Sequence, residues 1–361
     1  MGHRFAGYLI GYTQRMKDPE PSLDRSSAEP SFVVLANSAA GSVDTETLGA
    51  AVCVLAEHGS VVLRRTETAA DVPDALRGHP RSVPVLVGGD GTISSSVDAL
   101  LGQGLGHVAL GIVPSGTGND FARAAGVPLD PAAAALAVVH GSARRLSMLS
   151  VSGLTGPGRA ERSGVNALHI GIGAAASRQA SSWKSRLGPA AYPLAAAVTG
   201  TRSSGARISV EFRGRVPGDS ARSTGREGSR ADAGPTPGSQ DRAPTTSMVA
   251  VVLGSSIGGG VEIAGSPSLD RSSAEVLRAV GDGLGDRVRL AGALLSSDPG
   301  SRRSIESTRA QRLSIRCDRP VPVNLDGEDL GDQASLEVEI VPGPQQPPDP
   351  KKLCDWLDRQ K

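Results

Sequence analysis

Aromatic side chains are nearly absent from this 361-residue chain, which has four Phe, three Tyr and two Trp. Its core must therefore be built mostly from Ala, Val and Leu. Cysteine is scarce too. Cys53, Cys317 and Cys354 are far apart and odd in number. They offer neither a disulfide framework nor metal-ligand spacing, which suits a reducing cytoplasm. Neither sign of charge is in excess, with 38 Lys plus Arg against 37 Asp plus Glu. No global field then steers the chain to nucleic acid. No run approaches the roughly 20 apolar residues needed to span a bilayer. The start, "MGHRFAGYLIGYTQRMKDPEP", has Arg4 inside its apolar part and lacks the long apolar region and cleavage site of a signal peptide. Residues 1–30 read as a disordered extension.

From Ser31 a regular pattern appears. "FVVLANSAAG", "SVVLRRT", "VPVLVGGDGT" and "HVALGIVPSGTGND" read as strands. Helical spacing lies between them in "TETLGAAVCVLAEHG", "TAADVPDALRG" and "SSSVDALLGQG", and after them in "FARAAG" and "DPAAAALAVVHG". Alternation of this kind predicts an α/β domain over residues 31–146 with a doubly wound parallel sheet. Ligands in such sheets bind outside the carboxyl ends of the strands, where these Gly-rich loops fall.

After about Arg145 short alternating or β-branched runs take over, such as "RLSMLSVSG", "SMVAVVLGSS", "QRLSIRCD", "VPVNLDGE" and "ASLEVEIVPG". They predict a β-sandwich domain over residues 147–343. "SWKSRLGPAAYPLAAAVTG" interrupts it as a helical piece, and "IGIGAAAS" reads as a close-packed strand corner. Residues 214–247 carry almost no apolar side chains and read as a disordered insertion. Residues 344–361 end in a short helix, with Asp349 as cap and Leu353, Trp356 and Leu357 on its buried face, expected to pack back on the first domain. The segment "PSLDRSSAE" occurs twice, at Pro21–Glu29 and Pro267–Glu275. No repeat architecture surrounds it.

The chemistry lies in the loops. In "GGDGT" (Gly88–Thr92) glycines let backbone N–H groups approach a phosphate, and the next helix adds its positive end. Asp90 makes sense there if Mg²⁺ sits between it and the phosphate, directly or through water. Thr92 can donate to a phosphate oxygen. The plain alternative is a tight strand-to-helix turn with an Asx cap. "PSGTGNDFAR" (Pro114–Arg123) repeats the device, with Gly116 and Gly118 for close approach, Thr117 and Asn119 as donors, and Asp120 as a helix cap or orienting group. Two such loops suit a nucleotide triphosphate. No G-x-G-x-x-G, Walker A or H-R-D motif is present, which excludes the dinucleotide, P-loop and protein-kinase templates. "LDGE" places Asp326 and Glu328 two residues apart near the end of a β-run. If both enter the cleft, each raises the other's pKa, as a proton acceptor requires. Its alternative is a type I′ hairpin turn at Asp-Gly. The six histidines show no ligand spacing and read as solvated or core residues.

"GGDGT" followed by "PSGTGNDFAR" resembles the diacylglycerol kinase catalytic domain, the family shared by bacterial lipid kinases and sphingosine and ceramide kinases. The resemblance implies ATP in a cleft between an α/β domain and a β-sandwich, with Mg²⁺ at Asp90. It implies nucleotide contacts from Asn37, Ser38 and Gly41 of "NSAAG", from Thr66, from Gly88, Gly89, Asp90, Gly91, Thr92 and Ser95, and from Gly116, Thr117 and Asn119. Asp326 and Glu328 match the late D-G-E motif, with Glu328 the favoured proton acceptor and Asp326 its partner or alternative. The acceptor implied is a lipid, by default diacylglycerol, met peripherally at the cytoplasmic face of a membrane. No nucleic acid or transmembrane segment is expected, and a homodimer is compatible with the pattern.

The chain departs from the family at Ser95, often Glu there, and at Ile172 and Gly173, which replace Phe and Asp. Arg271 replaces the second Asp of a metal-holding L-D-D-G loop. A guanidinium there would repel a cation or substitute for it. These departures keep two other readings open, a kinase for a sphingoid or glycolipid acceptor and a nucleotide-binding regulator that has lost catalysis. "SSWKSRLGPAAYPL" reads as an ordinary amphipathic helix or an interfacial one, with Trp183 and Tyr192 at the headgroups and Lys184 and Arg186 on anionic lipid.

Overall fold

The first half of the chain sets apolar strands between helices, and the second half is mostly short alternating or β-branched runs. The computed structural model turns that contrast into two different sheets. It describes residues 12–13, 30–37, 45–106, 108–156, 158, 160–187, 206–215, 246–254, 256–257, 261–262, 269, 272–280 and 305–342. The first part runs β1 (Tyr12–Thr13), β2 (Ser31–Asn37), α1 (Thr45–Ala56), β3 (Ser60–Thr66), α2 (Asp71–Gly78), β4 (Val83–Gly88), α3 (Asp90–Gly102), β5 (Gly111–Pro114), α4 (Asp120–Ala125), α5 (Pro131–His140) and β6 (Ser142–Ala143). The second runs β7 (Met148–Ser152), β8 (Glu161–Gly164), β9 (Ala167–Gly171), α6 (Ile172–Leu187), β10 (Ile208–Arg215), β11 (Thr246–Val252), β12 (Ser256–Ile257), β13 (Val261–Glu262), β14 (Ala274–Val280), β15 (Ile305–Leu325) and β16 (Glu328–Val341).

The first sheet is parallel, in the order β3-β2-β4-β5. β2 and β4 are interior strands covered on both faces, so "FVVLA" and "PVLVG" are apolar throughout and buried. β3 is an edge strand, which explains why "LRR" can be exposed there. Strand order reverses between β2 and β4. In a doubly wound sheet that reversal opens a crevice at the carboxyl ends of those two strands. Asn37 ends β2 and Gly88 ends β4, so the crevice lies at the first Gly-rich loop.

The second sheet is antiparallel, with β14-β11-β9-β15-β16-β7-β8 in order and β10 added on β15. β15 has 21 residues and joins what the sequence divides into "QRLSIRCD" and "VPVNLDGE". It pairs with β14 over Ile305–Ala310, with β10 over Ala310–Cys317, with β16 from Arg312 to Leu325 and with β9 over Val323–Leu325, and its register against β16 shifts between Arg316 and Val321 and again between Pro322 and Asn324. A bulged strand bends, so one run of chain serves two regions of the sheet. β14 also pairs with β11 and β11 with β9, which closes a ring of strands. The α/β unit with a β-rich second unit is the fold class expected from the pattern.

Three expectations need adjustment. "IGIGAAAS" is not a strand corner, because α6 begins at Ile172 directly after β9. Its Ala run favours helix once the strand ends. β10 extends to Arg215 and β11 begins at Thr246, so the strands take up both ends of the insertion expected at 214–247. Helix α3 starts at Asp90, several residues before "SSSVDALLGQG". Most of the N-terminal extension, the rest of the insertion, the C-terminal helix, Tyr192, Arg271 and the first copy of the duplicated segment lie outside the described residues, as do the side chains of Trp183, Lys184 and Arg186.

His169 of β9 is a core histidine, buried with 7% of its surface exposed. Burial holds its imidazole down from 6.5 to about 4. The folded value lies below the unfolded one, so the unfolded chain takes up the proton first. Stability should be intact above about pH 6.5 and decline toward pH 4, by on the order of 2–3 kcal/mol. Unfolding free energy measured across that window should fall less steeply in His169→Met than in the wild type. Equal slopes would remove His169 from the acid limb.

Candidate active site

The connection from β4 to α3 is one residue long. β4 ends at Gly88 and α3 begins at Asp90, with extended Gly89 as its N-cap and no side-chain cap. The first turn of any α-helix has N–H groups without intrahelical partners. At α3 no side chain fills that role, so its positive end is open to an anion.

The second loop is built against the first, glycine to glycine. A Cβ placed on Gly89 would lie 2.9 Å from the Gly116 Cα, and one on Gly116 would lie 2.7 Å from the Gly89 Cα. Ser115 N–H also donates to the Gly88 carbonyl at 3.1 Å. These two glycines are therefore required by loop-to-loop contact, before any ligand is considered. Gly91 differs, since a Cβ there would meet nothing within 4 Å. Protein packing gives no reason for that glycine, and open space beside an uncapped helix end fits a phosphate.

Asp90 links the loops in a way its sequence position does not reveal. Its carboxylate accepts from the backbone N–H groups of Asp120 at 3.1 Å and Phe121 at 2.9 Å. It caps α4, the helix of the second loop, and leaves its own helix uncapped. Burial pushes its carboxyl above the usual range, while those amides pull it down. Each oxygen keeps a lone pair beyond the one amide bond described. Mg²⁺ commonly takes one or two carboxylates plus phosphates and waters, so Asp90 fits the role of a water-mediated or single direct ligand. Among the described residues no group of three or more His, Cys, Asp or Glu forms a metal cluster.

Asn119 shapes the second loop. It adopts a left-handed backbone at φ 51°, its Oδ1 accepts from Gly116 N–H at 2.9 Å, and its Nδ2 donates to the Gly116 carbonyl at 2.7 Å. That amide shapes the loop, while Thr117 is the exposed hydroxyl at its tip. Ser95 turns its hydroxyl back to the carbonyl of Gly91 at 2.8 Å. Asn37 and buried Thr66 are neighbours in register at the ends of β2 and β3. Ser38 and Gly41 lie outside the described residues.

The D-G-E motif is the β15–β16 hairpin. Asp326 and Gly327 have φ of 49° and 93°, and Leu325 pairs with Glu328 across them. Two positive values in a two-residue turn are the type I′ pattern, so the hairpin alternative is also correct. The two carboxylates part company there. Asp326 turns inward and accepts from Ser94 Oγ at 2.7 Å and from the N–H groups of Val165, Asn166 and Ala167 at 2.5, 3.0 and 2.6 Å. Burial pushes its carboxyl up, and those bonds act against the shift. Four donors occupy the acceptor positions of one carboxylate, so Asp326 has no lone pair free for a substrate proton. Glu328 is exposed and faces Arg162, with Nη1 donating to Oε1 at 3.0 Å and Nη2 reaching Oε2. The two carboxylates do not enter the cleft as a facing pair, because each has its own partners.

The Ser94–Asp326 bond connects α3 to the hairpin, so the helix that begins at Asp90 is joined to the D-G-E turn. Asp98 and Arg162 join the same two elements and were missed in the sequence. An Asp inside a helix and an Arg on a strand carry no motif, and only their contact marks them.

Residues 31–151 match the family described as the diacylglycerol kinase catalytic domain. That segment belongs to the diacylglycerol kinase catalytic domain family. A 66-residue stretch is 52% identical to a "Probable lipid kinase YegS-like" of Pseudomonas aeruginosa, covering 18% of this chain and 21% of that relative. A diacylglycerol kinase of Bacillus subtilis is 26% identical over 251 residues, 68% of this chain and 70% of that protein. The crystal structure of a diacylglycerol kinase from Bacillus anthracis superposes with a TM-score of 0.61 at 20% identity, over 88% of this chain and 96% of that one. Both units of this chain thus share the fold of a bacterial diacylglycerol kinase. The family segment holds both glycine loops, and the D-G-E hairpin lies beyond it.

Proposed function

We propose that the protein is an ATP-dependent lipid kinase that transfers the γ-phosphoryl group to a lipid hydroxyl, by default that of diacylglycerol. The observation that carries this reading is the uncapped α3 N-terminus, packed against a second glycine loop and tied through Ser94 to the D-G-E hairpin. In this reading the free N–H groups of α3, with the hydroxyls of Thr92 and Thr117, receive the phosphates. Mg²⁺, held by Asp90 directly or through water, would neutralise phosphate charge. The lipid hydroxyl oxygen bonds to the γ-phosphorus as the bond to the β-phosphate oxygen breaks, and ADP departs. Glu328 takes the hydroxyl proton. Asp326 is the strut beneath the turn and not the base. No helix among the described residues is long and apolar enough to cross a membrane, so the lipid would be met at the bilayer surface.

Protein incubated with γ-labelled ATP, Mg²⁺ and mixed micelles of diacylglycerol, sphingoid bases and glycolipids should place label in phosphatidic acid. Label in another lipid would keep the mechanism and move the acceptor. ATP bound with no label in any lipid would overturn the kinase reading.

A further inference from the structure

One guanidinium at the domain junction has no part in the chemistry above. Arg162 lies on β8 and donates from Nε to Asp98 Oδ2 at 2.8 Å, while both its terminal nitrogens go to Glu328. Asp98 lies on α3, eight residues after Asp90, and its other oxygen accepts from Ser163 N–H at 2.8 Å. Side-chain exposure falls along this chain of contacts, from 50% at Glu328 through 20% at Arg162 to 9% at Asp98.

Folding alone does not account for this arrangement. A buried carboxylate inside a helix is costly unless paired, and an apolar residue at position 98 would cover the same face more cheaply. Nor is the network needed to dock the hairpin on α3, because Ser94 already ties Asp326 to that helix, while the Val165–Ala167 amides hold the same carboxylate from the β8–β9 segment. What Arg162 adds acts on Glu328. A planar guanidinium that meets both oxygens of a carboxylate sets its orientation as well as its place. We infer that Arg162 is a positioning residue that holds Glu328 toward the acceptor hydroxyl, and that Asp98 is the anchor which holds Arg162. The inference rests on the kinase reading, in which Glu328 takes the proton.

The test compares Arg162→Lys with the wild type on the lipid that accepts label. Lysine keeps a positive charge beside Asp98 but lacks the fork, so the fold should persist while kcat falls about 10–100-fold. The KM for ATP should stay within about threefold, since the nucleotide loops are untouched. The double variant Asp98→Asn, Arg162→Met removes both charges together and should show the same kcat loss. Arg312→Met, which breaks the ion pair with Glu339 on the sheet surface, controls for loss of an ion pair and should keep wild-type kcat. Full kcat in Arg162→Lys, or a loss carried by the KM for ATP, would overturn the inference.

A second readout needs no turnover. The Nη–H resonance of Arg162, whose terminal nitrogens donate to Glu328, should be resolved and slow to exchange in a ¹⁵N NMR spectrum of the wild type, and should shift in Glu328→Gln. An unchanged resonance would overturn the inference. If the wild type labels no lipid, the kinase reading fails while this resonance still decides whether Arg162 holds Glu328.

Discussion

Asp326→Asn is expected to cost about 3–5 kcal/mol of folding stability, the range for stripping a buried charge out of its network. The change is nearly isosteric, so the loss would come from hydrogen bonding alone. Oδ1 accepts from the amides of Asn166 and Ala167, and Oδ2 from Val165 N–H and Ser94 Oγ. A side-chain amide keeps one oxygen and replaces the other with an N–H₂. Ser94 can rotate to accept from it, but Val165 N–H cannot reverse and would face another donor. The denaturant midpoint should fall with an unchanged slope. A wild-type midpoint together with lost turnover would restore Asp326 as the proton acceptor and remove it as the strut.

Glu328→Gln should lower kcat by about 10²–10⁴-fold, the usual contribution of a placed general base. Its side chain is half exposed and its bonds are to one guanidinium. Glutamine keeps one acceptor for Arg162 and loses the capacity to take a proton. The unfolding midpoint and ATP affinity should stay near wild type, because no residue of the glycine loops touches Glu328 in the bonds described. The pair of variants therefore separates two carboxylates that sit two residues apart. One should govern stability and the other rate. Kcat above half the wild-type value in Glu328→Gln would end its role as base.

The parts legible in the sequence are those whose cause is local. Buried strands covered on both faces read as "FVVLA" and "PVLVG" because every residue meets the core. Gly89 and Gly116 stand out because close backbone approach allows nothing larger. Asp-Gly announced a type I′ turn because both positions need positive φ. Short alternating or β-branched runs in the second half predicted a β-rich unit, and an antiparallel sheet forms there.

What stayed hidden depends on which side chains meet across long separations. Asp90 caps a helix 30 residues away, and Asp326 is held by amides 159 to 161 residues before it. Nothing in either motif says where its carboxylate points. The β15 bulges and the start of α6 were misread because a strand that turns a corner, and Ala after a strand, satisfy both local propensities. By itself the sequence determined the two glycine loops, the hairpin and the succession of elements, since backbone sterics and burial periodicity act within a few residues. Only the tertiary structure decided that Asp326 is the strut and Glu328 the exposed carboxylate, because a carboxylate's role depends on its donors, and those come from α3, β8 and β9 only once the two units have packed together.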